Sequence, residues 1–350
     1  MSGMDLTAYI CRLDTPLMDV LQRLTGLLAG RQFQVVLDGE GRVVGSITDG
    51  DIRRGLIRGA TLNMTAAEVM NRAVRCGRRH DPENQVILTA LRSDVRFVPI
   101  IDEERRLLDV LIAGVENDRA GVSALIMAGG YGRRLGELTK HTPKPLIEVA
   151  GRPILEHVLS NLEEADIRDI YISTHYLADK VVEFLNTRKS TASIHTVFEH
   201  EPLGTAGAIG LLPERVKRGS VLVSNADLIS SVNLRAFLDY QRQHDWVGLV
   251  AVRQHDVKID FGVVQQAPPG EFAGIVEKPS HKVMIAAGLY LLNGVVCDLV
   301  KAGEQIDMPD LLNKCYGEGH KLGVFPIHEE WIDVGRLEDL RRAQNIVNTL

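Results

Sequence analysis

The sequence predicts an α/β protein with two parts: a small α/β domain at the N-terminus and a larger domain built on a mixed, mainly parallel sheet. From about residue 123, apolar runs that suit buried strands alternate with segments of helical periodicity, as in a parallel sheet covered by helices. Before residue 120, a shorter order of helix, strand, turn and strand occurs twice. We therefore predict domains at 1–120, with repeats at about 1–62 and 63–120, and at 122–350.

Composition and charge limit the classes of function. The chain has 350 residues, of which 45% are hydrophobic and 25% are charged, and its formal net charge is −6. These values are typical of a soluble globular protein, and the negative charge argues against nucleic acid or an anionic membrane as the main partner. The N-terminus lacks the pattern of a signal peptide, and no apolar run approaches the ~20 residues that span a bilayer. We expect a cytoplasmic protein.

The first repeat begins with a predicted helix. Thr15-Pro16 predicts a helix start with threonine as the N-cap, and apolar residues then recur at helical spacing up to Leu28. A strand at 34–37, a turn at 38–41 and a strand at 42–48 follow, and a further helix begins near Asp49.

The second repeat shows the same order. A helix around 86–91, a strand at 97–101, a turn at 102–104 and a strand at 107–112 are predicted. The turn residues Asp38 and Asp102 lie 64 positions apart (102 − 38). This spacing predicts an imperfect duplication, followed by a linker at 113–122.

The larger domain begins with a predicted strand at 124–127. A helix from Pro153, a strand at 169–173, a helix over 177–185 and a strand at 221–224 follow. Ligands of such sheets bind beyond the carboxyl ends of the strands. Gly129 and Asp227 both follow a strand end, so we expect the site there.

The stretch after the first of these strands predicts a triphosphate site. Residues 129–132, Gly-Gly-Tyr-Gly, form a glycine turn whose backbone N–H groups an anion can approach closely. Arg133, Arg134 and Lys144 add positive charge for phosphates. A dinucleotide fingerprint would need a glycine where Leu135 stands, and the Gly-Lys-Ser/Thr end of a P-loop is missing.

These residues resemble the signature of sugar-1-phosphate nucleotidyltransferases, Gly-Gly-x-Gly-x-Arg-Leu followed by Thr-Pro-Lys-Pro. The resemblance covers residues 122–350 and implies a Rossmann-like nucleotide-diphospho-sugar transferase fold. It also implies the reaction of a nucleoside triphosphate with a sugar 1-phosphate to give a nucleotide sugar and pyrophosphate. Arg133 departs from the family, which often has a small hydroxylated residue there. By resemblance, the triphosphate residues are Gly129, Gly130, Gly132, Arg134 and Lys144.

Two aspartates stand in contexts that the family uses to hold Mg²⁺. Asp227 follows the apolar strand at 221–224, and Asp333 lies in Trp-Ile-Asp-Val-Gly at 331–335. Mg²⁺ takes one or two carboxylates together with phosphate oxygens and water. A single strand-end aspartate more often caps a helix, but two matching contexts favour the metal. Ala226 stands where the family commonly has glycine.

Residues 201–207, Glu-Pro-Leu-Gly-Thr-Ala-Gly, resemble the base-recognition segment of the family. A carboxylate accepts from both N1–H and the 2-amino group of guanine, so Glu201 favours guanine over the other bases. Gly204 and Thr205 are assigned to the nucleotide by the same resemblance. The alternative is that Glu201 does not contact a base and is simply a solvated carboxylate in a loop.

Three further segments resemble the sugar site of the family. Lys278 would pair with the phosphate of the sugar 1-phosphate, and Glu277 would accept hydrogen bonds from sugar hydroxyls. Gly288 and Gly262 would let the sugar ring approach the backbone.

In the first repeat, Gly45–Arg54 resembles the end of a CBS motif. Two such motifs form a Bateman module, which often binds adenine nucleotides and tends to self-associate. The resemblance implies that Thr48 and Asp51 contact ribose hydroxyls, that a regulatory nucleotide binds and that the protein forms a homo-oligomer. The same two residues could instead close a strand and cap a helix. The second repeat lacks them.

Taken together, the motifs most resemble guanylyltransferases of glucosamine 1-phosphate or mannose 1-phosphate, with GTP and a sugar 1-phosphate as substrates and Mg²⁺ as cofactor. The sequence leaves the sugar open. A nucleotide-sensing protein with a non-catalytic transferase domain is the alternative, against which the retention of both aspartates argues.

Overall fold

The structure of the chain is a computed structural model that describes residues 6–27, 32–78, 97–112, 121–242 and 244–347. It comprises two compact units. Unit 1 contains residues 1–120 and 233–245, and unit 2 contains residues 121–232 and 246–350. None of the helices in the described ranges is long and apolar enough to cross a bilayer.

Unit 1 contains two three-stranded sheets of the same design. The first strand of each runs parallel to the second, and the second runs antiparallel to the third. In chain order its elements up to residue 120 are β1 Ile10–Arg12, α1 Leu17–Thr25, β2 Phe33–Leu37, β3 Val43–Thr48, α2 Asp49–Ile57, α3 Ala66–Val69, β4 Gly77–Arg78, β5 Phe97–Ile101 and β6 Leu107–Ile112.

The two turns at Asp38 and Asp102 have equivalent hydrogen bonds. Asp38 Oδ1 accepts from the backbone N–H of Arg42 at 2.9 Å, and Asp102 Oδ1 accepts from that of Arg106 at 2.7 Å. Both turns therefore have the same backbone design, 64 positions apart (102 − 38). The helix predicted at 86–91 and most of the predicted linker lie outside the described residues.

The start of α1 differs from the prediction. Pro16, not Thr15, occupies the N-cap, and the helix begins at Leu17. Thr15 Oγ1 instead accepts a hydrogen bond from the backbone N–H of Arg12 at 2.9 Å, which closes the turn before the helix.

Unit 2 is built on a seven-stranded sheet of order β11-β10-β7-β12-β17-β14-β18. Strand β17 is antiparallel to both neighbours and the other four pairs are parallel, which confirms the predicted mixed, mainly parallel sheet. The elements from residue 121 are β7 Val122–Met127, β8 Glu148–Val149, β9 Arg152–Pro153, α4 Ile154–Glu164, β10 Asp169–Thr174, α5 Ala178–Thr187, β11 Ser193–Phe198, α6 Glu214–Lys217, β12 Ser220–Asn225, β13 Leu228–Ser230, α7 Leu234–Arg242, β14 Gly248–Lys258, β15 Val263–Ala267, β16 Glu271–Val276, β17 Ser280–Asn293, α8 Gly294–Cys297, α9 Met308–Gly317, β18 Leu322–Pro326, β19 Trp331–Asp333 and α10 Leu337–Val347.

Helix α7 is the exception to this grouping. It lies between β13 and β14 in the sequence, yet it belongs to unit 1 and packs against α2. Tyr240 on α7 is 3% exposed, and its burial raises the pKa of its phenol. Unit 1 thus includes a segment, 233–245, that a single boundary near residue 121 would assign to the larger unit.

The centre of the sheet positions the candidate site. Strands β7 and β12 are adjacent and parallel, with Met127 opposite Asn225 at their carboxyl ends. Leu125 and Val223 are buried in the main core, so the polar residues that follow leave the sheet at one edge. The loops that carry Gly129 and Asp227 therefore begin side by side.

Candidate functional site

The glycine loop requires glycine where it turns. Gly132 has a φ of +64°, in the left-handed region, and a Cβ there would lie 2.8 Å from Thr139 Cγ2 and 3.1 Å from Lys144 Cβ. Thr139 Oγ1 is within hydrogen-bond distance of the carbonyl of Gly132, at 3.1 Å. The loop thus closes tightly on the segment that carries Lys144.

Asp227 and Asp333 come together although they lie 106 positions apart in the sequence (333 − 227). Strand β13 pairs antiparallel with β19, with Leu228 opposite Asp333, and the backbone N–H of Val334 donates to the carbonyl of Asp227 at 2.9 Å. Lys144 Nζ forms an ion pair with Asp227 Oδ2 and lies 3.9 Å from Asp333 Oδ1. One ammonium group therefore faces two carboxylates.

The two carboxylates lie in an environment that suits a cation. Burial, followed by the charge of Asp227, raises the pKa of Asp333 to about 6, while Lys144 and Arg134 oppose the rise. Asp227 Oδ1 and Asp333 Oδ1 are buried and accept no hydrogen bond from any residue in the described ranges. Unpartnered buried carboxylate oxygens are costly, and they are the ligands that hard cations such as Mg²⁺ prefer.

A cavity of about 500 Å³ extends from the loop to Asp227, and Asp333 is not among its lining residues. Arg134 projects into it from the turn after Gly132, and a Cβ on Gly335 would lie 3.4 Å from Arg134 Nη1. Of the residues predicted for the triphosphate and the metal, the cavity is lined by Gly130, Gly132, Arg134, Lys144 and Asp227, together with Tyr131 and Arg133 of the loop.

Glu199 is a buried carboxylate near the glycine loop that the sequence patterns do not single out. Its side chain is 4% exposed, and its Oε2 accepts a hydrogen bond from the backbone N–H of Leu203 at 3.0 Å. A Cβ on Gly129 would lie 3.0 Å from its other oxygen, Oε1, so this carboxylate borders the glycine loop. Glu201 is exposed, and neither of these two carboxylates lines the cavity. Glu199 stands two positions before Glu201 and directly after strand β11, and this strand-end position is the sequence signal that could have pointed to it.

Gly204 and Thr205 contact the start of α9. Gly204 has a φ of +78°, and a Cβ there would lie 2.6 Å from the carbonyl oxygen of Ile306. The backbone N–H of Thr205 donates to Asp307 Oδ1 at 2.9 Å, and Thr205 Oγ1 accepts from the backbone N–H of Met308 at 2.8 Å. The contacts of these two residues thus anchor the loop to the helix.

The residues predicted to bind the sugar lie in two separate places, one beside Asn225 and one around Glu277. Gly288 has a φ of +70°, and a Cβ there would lie 2.6 Å from Asn225 Nδ2, so this backbone borders the turn that carries Asp227. Gly262 lies against Glu277, whose Oε2 would be 2.9 Å from an added Cβ. Glu277 and Lys278 are exposed and do not line the cavity.

In unit 1, Thr48 and Asp51 form a capping box at the start of α2. Asp51 Oδ2 accepts from the backbone N–H of Thr48 at 2.8 Å and from its hydroxyl at 2.7 Å, and Asp51 Oδ1 accepts from Arg54 Nη2 at 2.7 Å. Both carboxylate oxygens of Asp51, which was predicted to bind ribose, thus accept hydrogen bonds from residues at the start of the helix.

Comparison with known proteins matches both parts of the chain. The nucleotidyl transferase family model matches residues 123–349, and the CBS domain model matches residues 5–58. The repeat at 63–120 lies outside the CBS match, although its sheet repeats the design of the first.

Curated relatives cover the larger part. Mannose-1-phosphate guanyltransferase of Saccharomyces cerevisiae is 33% identical over 230 residues, which cover 62% of each chain. Mannose-1-phosphate guanylyltransferase catalytic subunit beta of Drosophila melanogaster is 31% identical over 229 residues, covering 63% of this chain and 61% of the relative. The chain thus matches about three fifths of the length of these relatives.

Solved structures share the fold. A Bacillus anthracis structure, described as a glucose-1-phosphate thymidylyltransferase in complex with sucrose, matches with a TM-score of 0.54 and 26% identity, covering 65% of this chain and 96% of that one. HddC of Yersinia pseudotuberculosis, complexed with GMP-PN, matches in fold with a TM-score of 0.50 and 22% identity, covering 64% of this chain and 99% of that one. With the family match over 123–349, these findings identify the chain as a member of the nucleotidyl transferase family.

Proposed function

We propose that the protein transfers a guanylyl group from GTP to a sugar 1-phosphate and releases pyrophosphate. The observation that carries this proposal is the single cavity in which the glycine loop, Arg134, Lys144 and Asp227 meet. A site that joins backbone N–H groups, fixed cations and unpartnered carboxylate oxygens suits a triphosphate.

The chemistry needs positioning and charge neutralisation. The attacking group is a phosphate oxygen that is already an anion, so no general base is required at the nucleophile. Arg134 and Lys144 would neutralise the charge that develops on the α-phosphate and on the departing pyrophosphate. The close packing of Gly132 against Thr139 and Lys144 would keep the loop and Lys144 together before substrate binds.

Asp227 and Asp333 would hold Mg²⁺. Their buried Oδ1 atoms, which accept no hydrogen bond within the described residues, support this assignment. When bound, the ion supplies charge neutralisation to phosphate oxygens. Lys144 lies beside both carboxylates and would take over phosphate oxygens as its partners when substrate enters.

Glu199 is our candidate for reading guanine. Its free Oε1 lies beside Gly129, and a carboxylate there can accept from the two donors on the guanine edge. The curated relatives are named for mannose 1-phosphate and guanylyl transfer, which supports GTP and makes mannose 1-phosphate the first sugar to test. Glucosamine 1-phosphate is the second.

The remaining residues have proposed roles on the periphery. Gly288 and Gly262 would approach the sugar, Glu277 would accept from its hydroxyls and Lys278 would pair with its phosphate. In unit 1, Thr48 and Asp51 would hold a regulatory nucleotide once their internal hydrogen bonds are exchanged for ribose hydroxyls.

The test is pyrophosphate release by the full chain with Mg²⁺. GTP, UTP, dTTP, CTP and ATP are each offered with mannose 1-phosphate, glucosamine 1-phosphate, glucose 1-phosphate and N-acetylglucosamine 1-phosphate. We expect a signal confined to GTP. A signal with another nucleotide would overturn the base assignment. Silence from folded protein that still binds nucleotide would support the non-catalytic sensor.

A further inference from the structure

Arg133 is the loop cation that the reaction described above does not use. It follows Gly132, begins the 3-10 turn Arg133–Thr139 and lines the same cavity as Arg134. No acidic side chain in the described ranges forms an ion pair with it. An arginine with an unneutralised charge at the wall of a phosphate cavity is available for a ligand.

The side chains of Arg133 and Arg134 contact different residues. Successive residues of a helical turn point in different directions. The guanidinium of Arg134 lies against Gly335, near Asp333. The guanidinium carbon of Arg133 lies 4.9 Å from the centre of the Tyr131 ring, in a cation–π contact. Arg133 is therefore held by the glycine loop itself.

Tyr131 is itself held by His175. Its hydroxyl lies 3.1 Å from His175 Nε2, and His175 Nδ1 lies 2.8 Å from the carbonyl oxygen of Glu199. A carbonyl oxygen can only accept, so Nδ1 carries a proton. In the neutral imidazole, Nε2 then accepts from the hydroxyl of Tyr131. Both contacts are satisfied at once, which fixes the orientation of the tyrosine ring.

The result is a continuous series of contacts from Glu199 through His175 and Tyr131 to Arg133. A cation–π contact uses the flat face of the guanidinium and leaves its N–H groups at the edge free to donate. An arginine that is already ordered loses less side-chain entropy when a phosphate binds.

We propose that Arg133 is a second arginine that binds the triphosphate, and that Tyr131 and His175 are positioning residues that hold it ready. This inference rests on the proposed function. It predicts a contact with the polyphosphate of the nucleotide, which leaves as pyrophosphate, and not with the phosphate of the sugar. Arg133 thereby gains a role at the position where the sequence departs from the family signature.

The test is the Arg133→Gln variant of the full chain, with Arg341→Gln, an exposed arginine on α10, as the control. We expect the KM for the nucleotide, and the KM for pyrophosphate in the reverse reaction, to rise about tenfold through the loss of one charged hydrogen bond at a partly exposed site. The KM for the sugar 1-phosphate should not change, and Arg133→Lys should recover part of the loss. An unchanged nucleotide KM, or an equal rise for the sugar, would overturn the proposal.

The positioning role has its own readout. Tyr131→Leu should raise the nucleotide KM by less than Arg133→Gln does. The double variant should be no worse than Arg133→Gln alone, because the ring acts through the arginine. Additive effects in this cycle would refute positioning by Tyr131.

Binding of inorganic tripolyphosphate, measured by calorimetry, separates this inference from the proposed function. A wild-type protein that binds tripolyphosphate about tenfold more tightly than Arg133→Gln supports the arginine role even if no sugar reacts. Equal binding by the two proteins overturns it, whatever the enzyme assay shows.

Discussion

Lys144 and Asp227 form an ion pair across 83 positions of sequence. Lys144 begins the short 3-10 turn Lys144–Leu146, and Asp227 lies between β12 and β13. Their side chains are 11% and 18% exposed, so little water screens the pair. The contact holds a cation and a carboxylate at the place where phosphate and metal are proposed to bind.

Asp227→Asn should abolish turnover and leave the fold intact. The amide has nearly the same shape as the carboxylate, and the hydrogen bond from Val334 goes to the backbone of Asp227, which the change preserves. Loss of the proposed metal ligand should lower kcat by about a thousandfold or more. Pyrophosphate release and thermal unfolding measure the two properties, with the exposed Asp298→Asn as the control. Wild-type turnover in Asp227→Asn would contradict the metal assignment.

Glu199→Gln should change the preference for the base, and Glu201→Gln should not. Glu199 is buried beside Gly129, whereas Glu201 is exposed. Replacing a carboxylate that accepts two hydrogen bonds should lower kcat/KM for GTP by roughly ten- to a hundredfold. The measurement is kcat/KM for each of the five nucleotides. A larger effect at Glu201 would restore the assignment made from the sequence.

Lys278→Gln should raise the KM for the sugar 1-phosphate and leave that for GTP unchanged. Lys278 is exposed and lies outside the cavity lining, and its segment resembles the sugar site of the family. We expect a rise of about tenfold, as for one charged contact. Initial rates at varied sugar 1-phosphate give the result, and no change would remove Lys278 from the site.

Asp51→Ala should destabilise α2 because it removes a capping box. The expected loss is about 1–2 kcal/mol, measured by hydrogen exchange of the amides in 49–57. Glu68→Ala is a matched control, since Thr65 and Glu68 form the equivalent box on α3. If Asp51 also binds ribose, only Asp51→Ala should lose binding of adenine nucleotides. Equal binding by both variants would leave Asp51 as a cap alone.

Arg188 should stabilise unit 2 in a pH-dependent manner. Its guanidinium pairs with Glu156 and Glu163 at 2.6 Å, and its hydrogen bond to Glu163 lowers the pKa of that carboxyl below the ordinary 4.5. A lowered pKa in the folded state stabilises the protein above the unfolded pKa, and this contribution is lost as the pH falls through the folded pKa. Arg188→Met should therefore cost about 3 kcal/mol at pH 7 and progressively less as the pH falls below the unfolded pKa of Glu163.

Urea unfolding followed by tryptophan fluorescence measures this, because both tryptophans, Trp246 and Trp331, lie in unit 2. Arg168→Met is the control, since Arg168 is half exposed in its pair with Asp166 and should contribute less than about 1 kcal/mol. A cost for Arg188→Met that stays constant with pH would show that the loss comes from packing and not from charge.

Local patterns predicted seven of the strands and four of the helices that the structure describes. The apolar run before Gly129 predicted β7, and the run at 221–224 predicted β12. The spacing between Asp38 and Asp102 predicted a duplication whose two turns have matching hydrogen bonds. Such features depend on neighbours in the chain, so periodicity and turn chemistry are enough to find them.

The choice between nearby candidates depended on burial. Glu199 and Glu201 are two positions apart, and no spacing rule separates them. Glu199 follows β11, which pairs with β10, and is buried beside the glycine loop, whereas Glu201 is exposed. In the same way, the sequence is equally consistent with Asp51 as a ribose-binding residue and as a helix cap. Its side-chain hydrogen bonds show that it caps the helix in this structure.

Sequence patterns established the family signature, the alternation of strands and helices after residue 123 and the residue types at the site, because these are local properties. The meeting of distant groups depends instead on three-dimensional packing. This packing placed Lys144 between Asp227 and Asp333, linked Arg133 through Tyr131 to His175, and grouped α7 with unit 1. Each of these relations depends on sheet order and packing between segments far apart in the chain, which local periodicity does not encode.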